Sequence, residues 1–210
     1  MSGVVGRGFA FARKIENGKI VVSSNEKESV FSAVKAYSGA QLPEYQTKCS
    51  AGADFFCAED VVIPSIWSQL FKRLRLNLSE GSAYLDTCGD VDVVRKLIQP
   101  TFVHTGIKAY MEDDEVLELY NRSSNPKKLG LILANGVGVV DADYFENKDN
   151  DGEIMFAFYN LLPVSVTLNE GDRIGQGIFK KFLRPTDSSL RVKDAIRVGG
   201  VGSTDKGMVR

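Results

Sequence analysis

A chain of 210 residues, 43% hydrophobic and 25% charged, is long enough to bury one sizeable core without disulfide or metal staples. Lys and Arg number 26 against 27 Asp and Glu, a net charge of -1, which argues against a nucleic-acid binder that relies on a broadly basic surface. His104 is the lone histidine and Cys49, Cys57 and Cys88 show no C-x-x-C spacing, so zinc sites built from several imidazoles or from four thiolates are excluded.

Arg7, Arg13 and Lys14 bracket only a short apolar run, and no stretch is long enough to span a bilayer as a helix. A soluble, cytoplasmic protein is expected. In chain order, Phe9-Ala10-Phe11-Ala12 and Lys19-Ile20-Val21-Val22 read as strands joined by a hairpin at Asn17-Gly18. Residues 23–39 carry one short helix around Val30 to Tyr37. Asp60-Val61-Val62-Ile63 reads as a strand closed by Pro64. Residues 65–76 place Ile66, Leu70, Phe71 and Leu74 at helical spacing, and residues 90–98 read as a second short helix, with acids early and bases late.

Thr101 to Tyr110 alternates apolar and polar residues as one half-buried strand should, and Glu115 to Tyr120 continues the pattern. Further strands are expected at Gly130–Leu133, Glu153–Tyr159, Ser165–Leu168 and Gly177–Phe182. Short strands separated by Gly and Asn turns point to a mainly β jelly roll or distorted barrel. The whole of 1–210 reads as a single domain, with a small helical insertion at about 66–98 and a C-terminal arm at about 186–210.

Four polar, glycine-containing stretches interrupt the strand pattern with groups suited to phosphate or water. They are Ser50-Ala51-Gly52-Ala53-Asp54, Arg122-Ser123-Ser124, Asn135 through Tyr144, and Gly199 through Thr204 after Arg197. Arg122 offers a planar donor fork for a phosphate, with two hydroxyls beside it. Consecutive glycines let backbone N–H groups crowd round an anion. With one histidine in the chain, hydrolysis would rest on carboxylates such as Asp141 and Asp143.

The order and spacing of these stretches closely resemble the five motifs of the homotrimeric dUTPases. Residues 50–54, preceded by Leu42-Pro43-Glu44-Tyr45, resemble the first motif; 119–124 the second; 135–144 the third; Gly171-Asp172-Arg173-Ile174-Gly175-Gln176 the fourth; and 197–204 the fifth. The resemblance implies a jelly-roll-like homotrimer that shares its active sites between subunits. The implied reaction is hydrolysis of dUTP to dUMP and pyrophosphate, with Mg2+ on the triphosphate.

By the same resemblance, Asp141 activates the water that attacks the α-phosphorus. Asn135 reads the uracil edge, with backbone groups around Val139 and Val140. Tyr144 packs under the deoxyribose and leaves no room for a 2′-hydroxyl. Arg122, Ser123, Ser124 and Gln176 hold the phosphates, and Asp54 touches the metal through water. Arg197, Gly202, Ser203 and Thr204 close over the γ-phosphate.

The chain also departs from the family pattern. Val201 stands where a phenylalanine usually stacks on uracil, and Asp205 replaces a customary glycine. Phe145 through Asp151 intervene before Gly152, implying a longer hairpin tip after Tyr144. Two other readings share the resemblance. A dCTP deaminase would use a glutamate in the third-motif region and release ammonia, and a regulatory protein of this fold would act through a protein partner, with the insertion as its docking element. Neither membrane nor direct nucleic-acid binding is expected.

Overall fold

The computed structural model describes residues 6–21, 34–71, 74–77, 82–85, 96 and 98–186. The chain forms β1 (Gly8–Phe11), β2 (Ile15–Glu16), β3 (Lys19–Ile20), β4 (Ala53–Phe56), β5 (Val61–Ile63), helix α1 (Ile66–Phe71), β6 (Leu74–Asn77) and β7 (Ser82–Leu85). It continues with β8 (Thr101–His104), β9 (Ile107–Tyr110), β10 (Glu115–Asn121), β11 (Leu131–Leu133), β12 (Gly138–Asp141), β13 (Met155–Asn160), β14 (Val166–Leu168) and β15 (Arg173–Lys181). One π-helical turn at Asn125–Leu129 and one 3-10 turn at Ala142–Tyr144 join strands. The architecture is mainly β, as expected. Among the described residues no helix is long and apolar enough to cross a membrane.

A four-stranded antiparallel sheet, ordered β12-β10-β15-β4, faces a three-stranded sheet ordered β11-β13-β8 across the core. The alternation in β10 sets the arrangement. Leu117 and Leu119 are buried, and residues paired with them point the same way: Val140 and Gly138 on β12, Phe179 and Gly177 on β15. Glycine at 175 and 177 is required by close approach, since a Cβ at Gly175 would lie 1.9 Å from the Phe156 ring and one at Gly177 2.6 Å from the Phe55 ring. The rings of Phe55 and Phe156, with centroids 5.5 Å apart, therefore lie directly on the β15 backbone. Each such fully buried side chain contributes about 1.5–3 kcal/mol.

The other face of this sheet carries three rows of directly paired residues: Asp141, Val116 and Lys180; Val139, Glu118 and Ile178; and Tyr120, Gln176 and Asp54. Asp141, Val139, Gln176 and Asp54 thus share one face of this sheet, Asp141 toward one end of β10 and Gln176 and Asp54 toward the other.

Several local expectations are corrected. The Asn17-Gly18 turn joins the two-residue strands β2 and β3, both turn residues having positive φ, whereas β1 leaves this hairpin to pair with β9. The Thr101 to Tyr110 run breaks into β8 and β9, which belong to different sheets. Gly106 (φ 64°) turns the corner, and the Thr105 hydroxyl, 2.6 Å from the Ile154 carbonyl, takes up the backbone group freed there. The helix expected over 65–76 stops at Phe71. Ser65 Oγ accepts the N–H groups of Trp67 and Ser68 at its start, and Leu74-Arg75-Leu76-Asn77 follows the period of two and pairs with β7. Lys35, within the helix expected around Val30 to Tyr37, instead bridges Arg13 in extended backbone. The helix expected over 90–98 lies outside the described residues except for Lys96, which is helical, and Ile98 to Pro100.

Candidate active site

The hairpin from β11 to β12 builds a cleft of about 210 Å³ lined by Asn135, Gly138, Val139, Val140 and Tyr144, with Phe102, Leu119 and Met155 across from them. Asn135 lies in the turn, where Gly136 has φ 69° and donates its N–H to the Leu133 carbonyl. Alternation along β12 buries Val140 (8% exposed) and leaves Val139 63% exposed. Asp141 follows Val140 at the end of the strand in extended backbone, and it is exposed. The 3-10 turn then carries Tyr144 back into the protein, where it is 6% exposed. Asn135, Val139, Val140, Asp141 and Tyr144 are thereby brought together. An exposed carboxylate beside a half-apolar cleft with one amide is suited to activating water against a ligand that binds by a flat polar edge.

The longer tip after Tyr144 is a compact loop. Tyr144 donates its phenol proton to the Glu153 carbonyl at 3.0 Å and accepts a hydrogen bond from Asn150 Nδ2 at 2.9 Å. Beneath it Asp151, 1% exposed, accepts hydrogen bonds from the Arg13 N–H (2.7 Å), Arg13 Nε (2.9 Å) and Lys108 Nζ (2.9 Å). Burial acts to raise the Asp151 pKa, but the bonds from Arg13 and Lys108 outweigh it and hold the carboxyl below its usual range. At Glu153, 6% exposed, the carboxylate accepts the Gly106 N–H at 3.0 Å and lies 3.1 Å from His104 Nδ1. That hydrogen bond to Glu153 raises the His104 pKa against its partial burial.

Arg122, Ser123, Ser124, Gln176 and Asp54 assemble at the other end of the sheet. Arg122 follows β10 and donates Nη1 to the Arg173 carbonyl at 3.0 Å. Its Nε lies 3.7 Å from Asp54 Oδ1, which also accepts Gln176 Nε2 at 2.9 Å, while Arg173 Nη1 reaches Asp54 Oδ2 at 3.2 Å. Asp54, 1% exposed, is therefore an anionic strut that aims two guanidinium groups and one amide.

Sequence reasoning did not single out Asn125, Lys128 or Arg173. Asn125 is buried and donates Nδ2 to the Ile174 carbonyl and to Asn121 Oδ1, both at 2.7 Å, which fastens the Arg-Ser-Ser turn to β15. Lys128 and Arg173 join Arg122 and Ser124 around a second cleft of about 370 Å³, where three cations outweigh the one lining carboxylate, Asp172, and suit an anion. The available signal was position: Asn125 directly follows the serines, and Arg173 lies within the stretch already noted for Gln176.

Asp141 and Arg122 do not meet within one chain. Asp141 pairs with Val116 at the start of β10, and Arg122 lies beyond its far end. Six residues of strand separate them by about 20 Å. Arg197, Gly202, Ser203 and Thr204 lie outside the described residues. Among the described residues no group of three or more His, Cys, Asp or Glu side chains could hold a metal ion. A single buried carboxylate, already engaged by donors, suits a hydrated cation that arrives on phosphate oxygens rather than one caged by protein.

A family model described as dUTPase matches residues 72–205. A protein of Lactococcus lactis named deoxyuridine 5'-triphosphate nucleotidohydrolase is 45% identical over 102 residues, which span 49% of this chain and 67% of that protein. One of the same name from Wolinella succinogenes is 27% identical over 185 residues, covering 87% and 99%. Among solved structures, the dUTPase of Streptococcus mutans aligns with a TM-score of 0.55 at 29% identity, covering 86% of this chain and 99% of that one. The dUTPase from phage phi11 of S. aureus, at 17% identity and a TM-score of 0.50 over 75% and 92%, shares the fold.

Proposed function

The chain belongs to the dUTPase family, and we propose that it hydrolyses dUTP to dUMP and pyrophosphate at a site completed by another copy of itself. The observation that carries this reading is that Asn135, Val139, Val140 and Tyr144 line one cleft, with Asp141 directly following Val140 at the end of β12. Uracil enters the cleft, where the Asn135 amide and the β12 backbone read its polar edge. Tyr144 packs under the deoxyribose. Asp141 accepts a proton from a water molecule as the water oxygen bonds to the α-phosphorus. The bond from that phosphorus to the oxygen bridging to the β-phosphate breaks, and pyrophosphate leaves with the electron pair.

Because Asp141 and Arg122 lie about 20 Å apart along β10, the phosphates of a nucleotide in the cleft are held by Arg122, Ser123, Ser124 and Gln176 of a neighbouring copy. A head-to-tail contact of this kind closes into a ring, and the assembly expected of the family is a homotrimer. Bound with the triphosphate, Mg2+ would offset its charge, and Asp54, beside Gln176 and the two guanidinium groups, would hold it through water. Arg197, Gly202, Ser203 and Thr204 would add contacts to the γ-phosphate.

The test is pyrophosphate release from dUTP, dCTP, dTTP and UTP with Mg2+, repeated with Asp141→Asn. Selective turnover of dUTP, reduced at least about 1,000-fold by Asp141→Asn in an assembly of unchanged size, is the expected result. Ammonia release from dCTP, or near-normal turnover by the variant, would overturn it.

A further inference from the structure

The loop between Tyr144 and Glu153 is organised by two asparagines. Asn147 Oδ1 accepts the N–H groups of Asp149 (3.0 Å) and Asn150 (3.2 Å), and its Nδ2 donates to the Tyr144 carbonyl (2.9 Å) and to Asn150 Oδ1 (2.8 Å). Asn150 Oδ1 also accepts the Gly152 N–H at 3.2 Å. With its oxygen used inside the loop, Asn150 turns its amide nitrogen back toward the cleft wall. There Nδ2 donates to the Tyr144 phenol oxygen at 2.9 Å and to the Glu153 carbonyl at 3.1 Å, the same carbonyl that accepts the phenol proton. The three groups close a small ring of hydrogen bonds around the far end of the tyrosine.

We propose that Asn150 is a positioning residue for sugar selectivity, holding the Tyr144 ring rigid so that the cleft excludes a 2′-hydroxyl. The proposal rests on the reading above, in which Tyr144 packs under the deoxyribose. Excluding one oxygen atom requires a wall that yields by less than that atom's radius. The ring torsion of tyrosine is intrinsically broad and gives no such stiffness. Stiffness has to come from anchoring the phenol end, where Asn150 supplies one of the two described hydrogen bonds and also orients the carbonyl that makes the other. Asn150 is itself held in place, because the next residue is Asp151, buried against Arg13 and Lys108. Asn147, by contrast, ties the loop together without touching the phenol.

The experiment measures kcat/KM for dUTP and UTP in the wild-type protein and in Asn150→Asp, Asn150→Ala and Tyr144→Phe. Asn150→Asp keeps the size and the accepting oxygen of asparagine while removing its donor. Tyr144→Phe keeps the ring while removing the anchored oxygen. Each is expected to lower the dUTP-to-UTP preference by about 10-fold or more, chiefly through gained UTP turnover, and in the two Asn150 variants kcat on dUTP is expected to stay within about 3-fold of wild type. The Asn150→Asp, Tyr144→Phe double variant is expected to lose no more than the worse single variant, because both remove the same anchor. Asn147→Ala serves as the comparison that loosens the loop without removing the phenol's partner, and it is expected to lower Tm while retaining more of the preference than Asn150→Asp.

An unchanged preference in folded Asn150→Asp and Asn150→Ala, or additive losses in the double variant, would overturn the proposal. Wild-type protein that released pyrophosphate from dUTP and UTP equally well would overturn the assignment of Tyr144 and the proposal with it. Wild-type protein with no pyrophosphate release at all would instead strike the reaction itself.

Discussion

Asp151 and Lys108 form a buried ion pair whose two halves are unequally supported, and that inequality predicts an asymmetric response to mutation. Lys108 is 3% exposed and its ammonium reaches Asp151 and Glu146, each at 2.9 Å. Asp151 is bound by Lys108 and also by Arg13 through both its backbone N–H and its guanidinium. Asp151→Asn leaves two cations facing each other with Glu146, 41% exposed at its side chain, as the one acidic partner they share among the described residues. Breaking a buried pair in this way costs about 3–5 kcal/mol. At about 2–4 °C per kcal/mol for a chain of this length, Tm falls by roughly 6–20 °C.

Lys108→Met leaves Asp151 fully engaged by Arg13 and removes one desolvated charge, so its cost is below about 1.5 kcal/mol. Glu146→Gln, at the exposed end, costs below about 1 kcal/mol. The assay is thermal unfolding of all three variants at one fixed protein concentration, since assembly shifts apparent stability. A Lys108→Met loss equal to or larger than that of Asp151→Asn would refute the reasoning, as would an Asp151→Asn loss below about 1 kcal/mol.

Two further stability predictions concern the same loop. Gly152 has φ 81°, and a Cβ there would lie 2.7 Å from the Tyr144 carbonyl oxygen and 2.9 Å from the Glu146 nitrogen. Gly152→Ala is therefore expected to cost at least about 2 kcal/mol in chemical or thermal unfolding, and a loss below about 0.5 kcal/mol would contradict the close approach. His104 carries a pKa raised by its hydrogen bond to Glu153. Its contribution is fully present below the unfolded value of about 6.5 and is lost as pH rises through the higher folded value. Tm measured between about pH 6 and 9 is expected to decline more steeply for wild type than for His104→Gln, and parallel profiles would deny the coupling.

The β character of the chain was legible because short strands are separated by Gly and Asn turns, and the third-motif residues were legible because Asn135 through Tyr144 follow one another from the β11–β12 turn to the 3-10 turn. Pattern failed where a period continues while the chain changes direction. Thr101 to Tyr110 reads as one strand, yet the positive φ at Gly106 sends β9 to another sheet. Likewise Leu74 fits a helical stripe and also the strand period, and pairing with β7 decides between them. The support behind Tyr144 was illegible for a different reason. Asp151 finds Arg13 138 residues away and Lys108 43 residues away, and nothing local marks such partners. The family resemblance supplied the order of the motifs, while the strand register of β10 was needed to see that Asp141 and Arg122 of one chain stand apart.

Sharing of one site between copies is tested most directly by mixing two inactive variants. Asp141→Asn and Arg122→Ala chains, unfolded and reassembled together in equal amounts, form rings in which an intact Asp141 meets a neighbour's intact Arg122 at one interface in four. Pyrophosphate release from dUTP is predicted to recover to about 25% of wild type, although each variant reassembled alone stays at background. Recovery no greater than the average of the two single variants would contradict a site drawn from neighbouring copies.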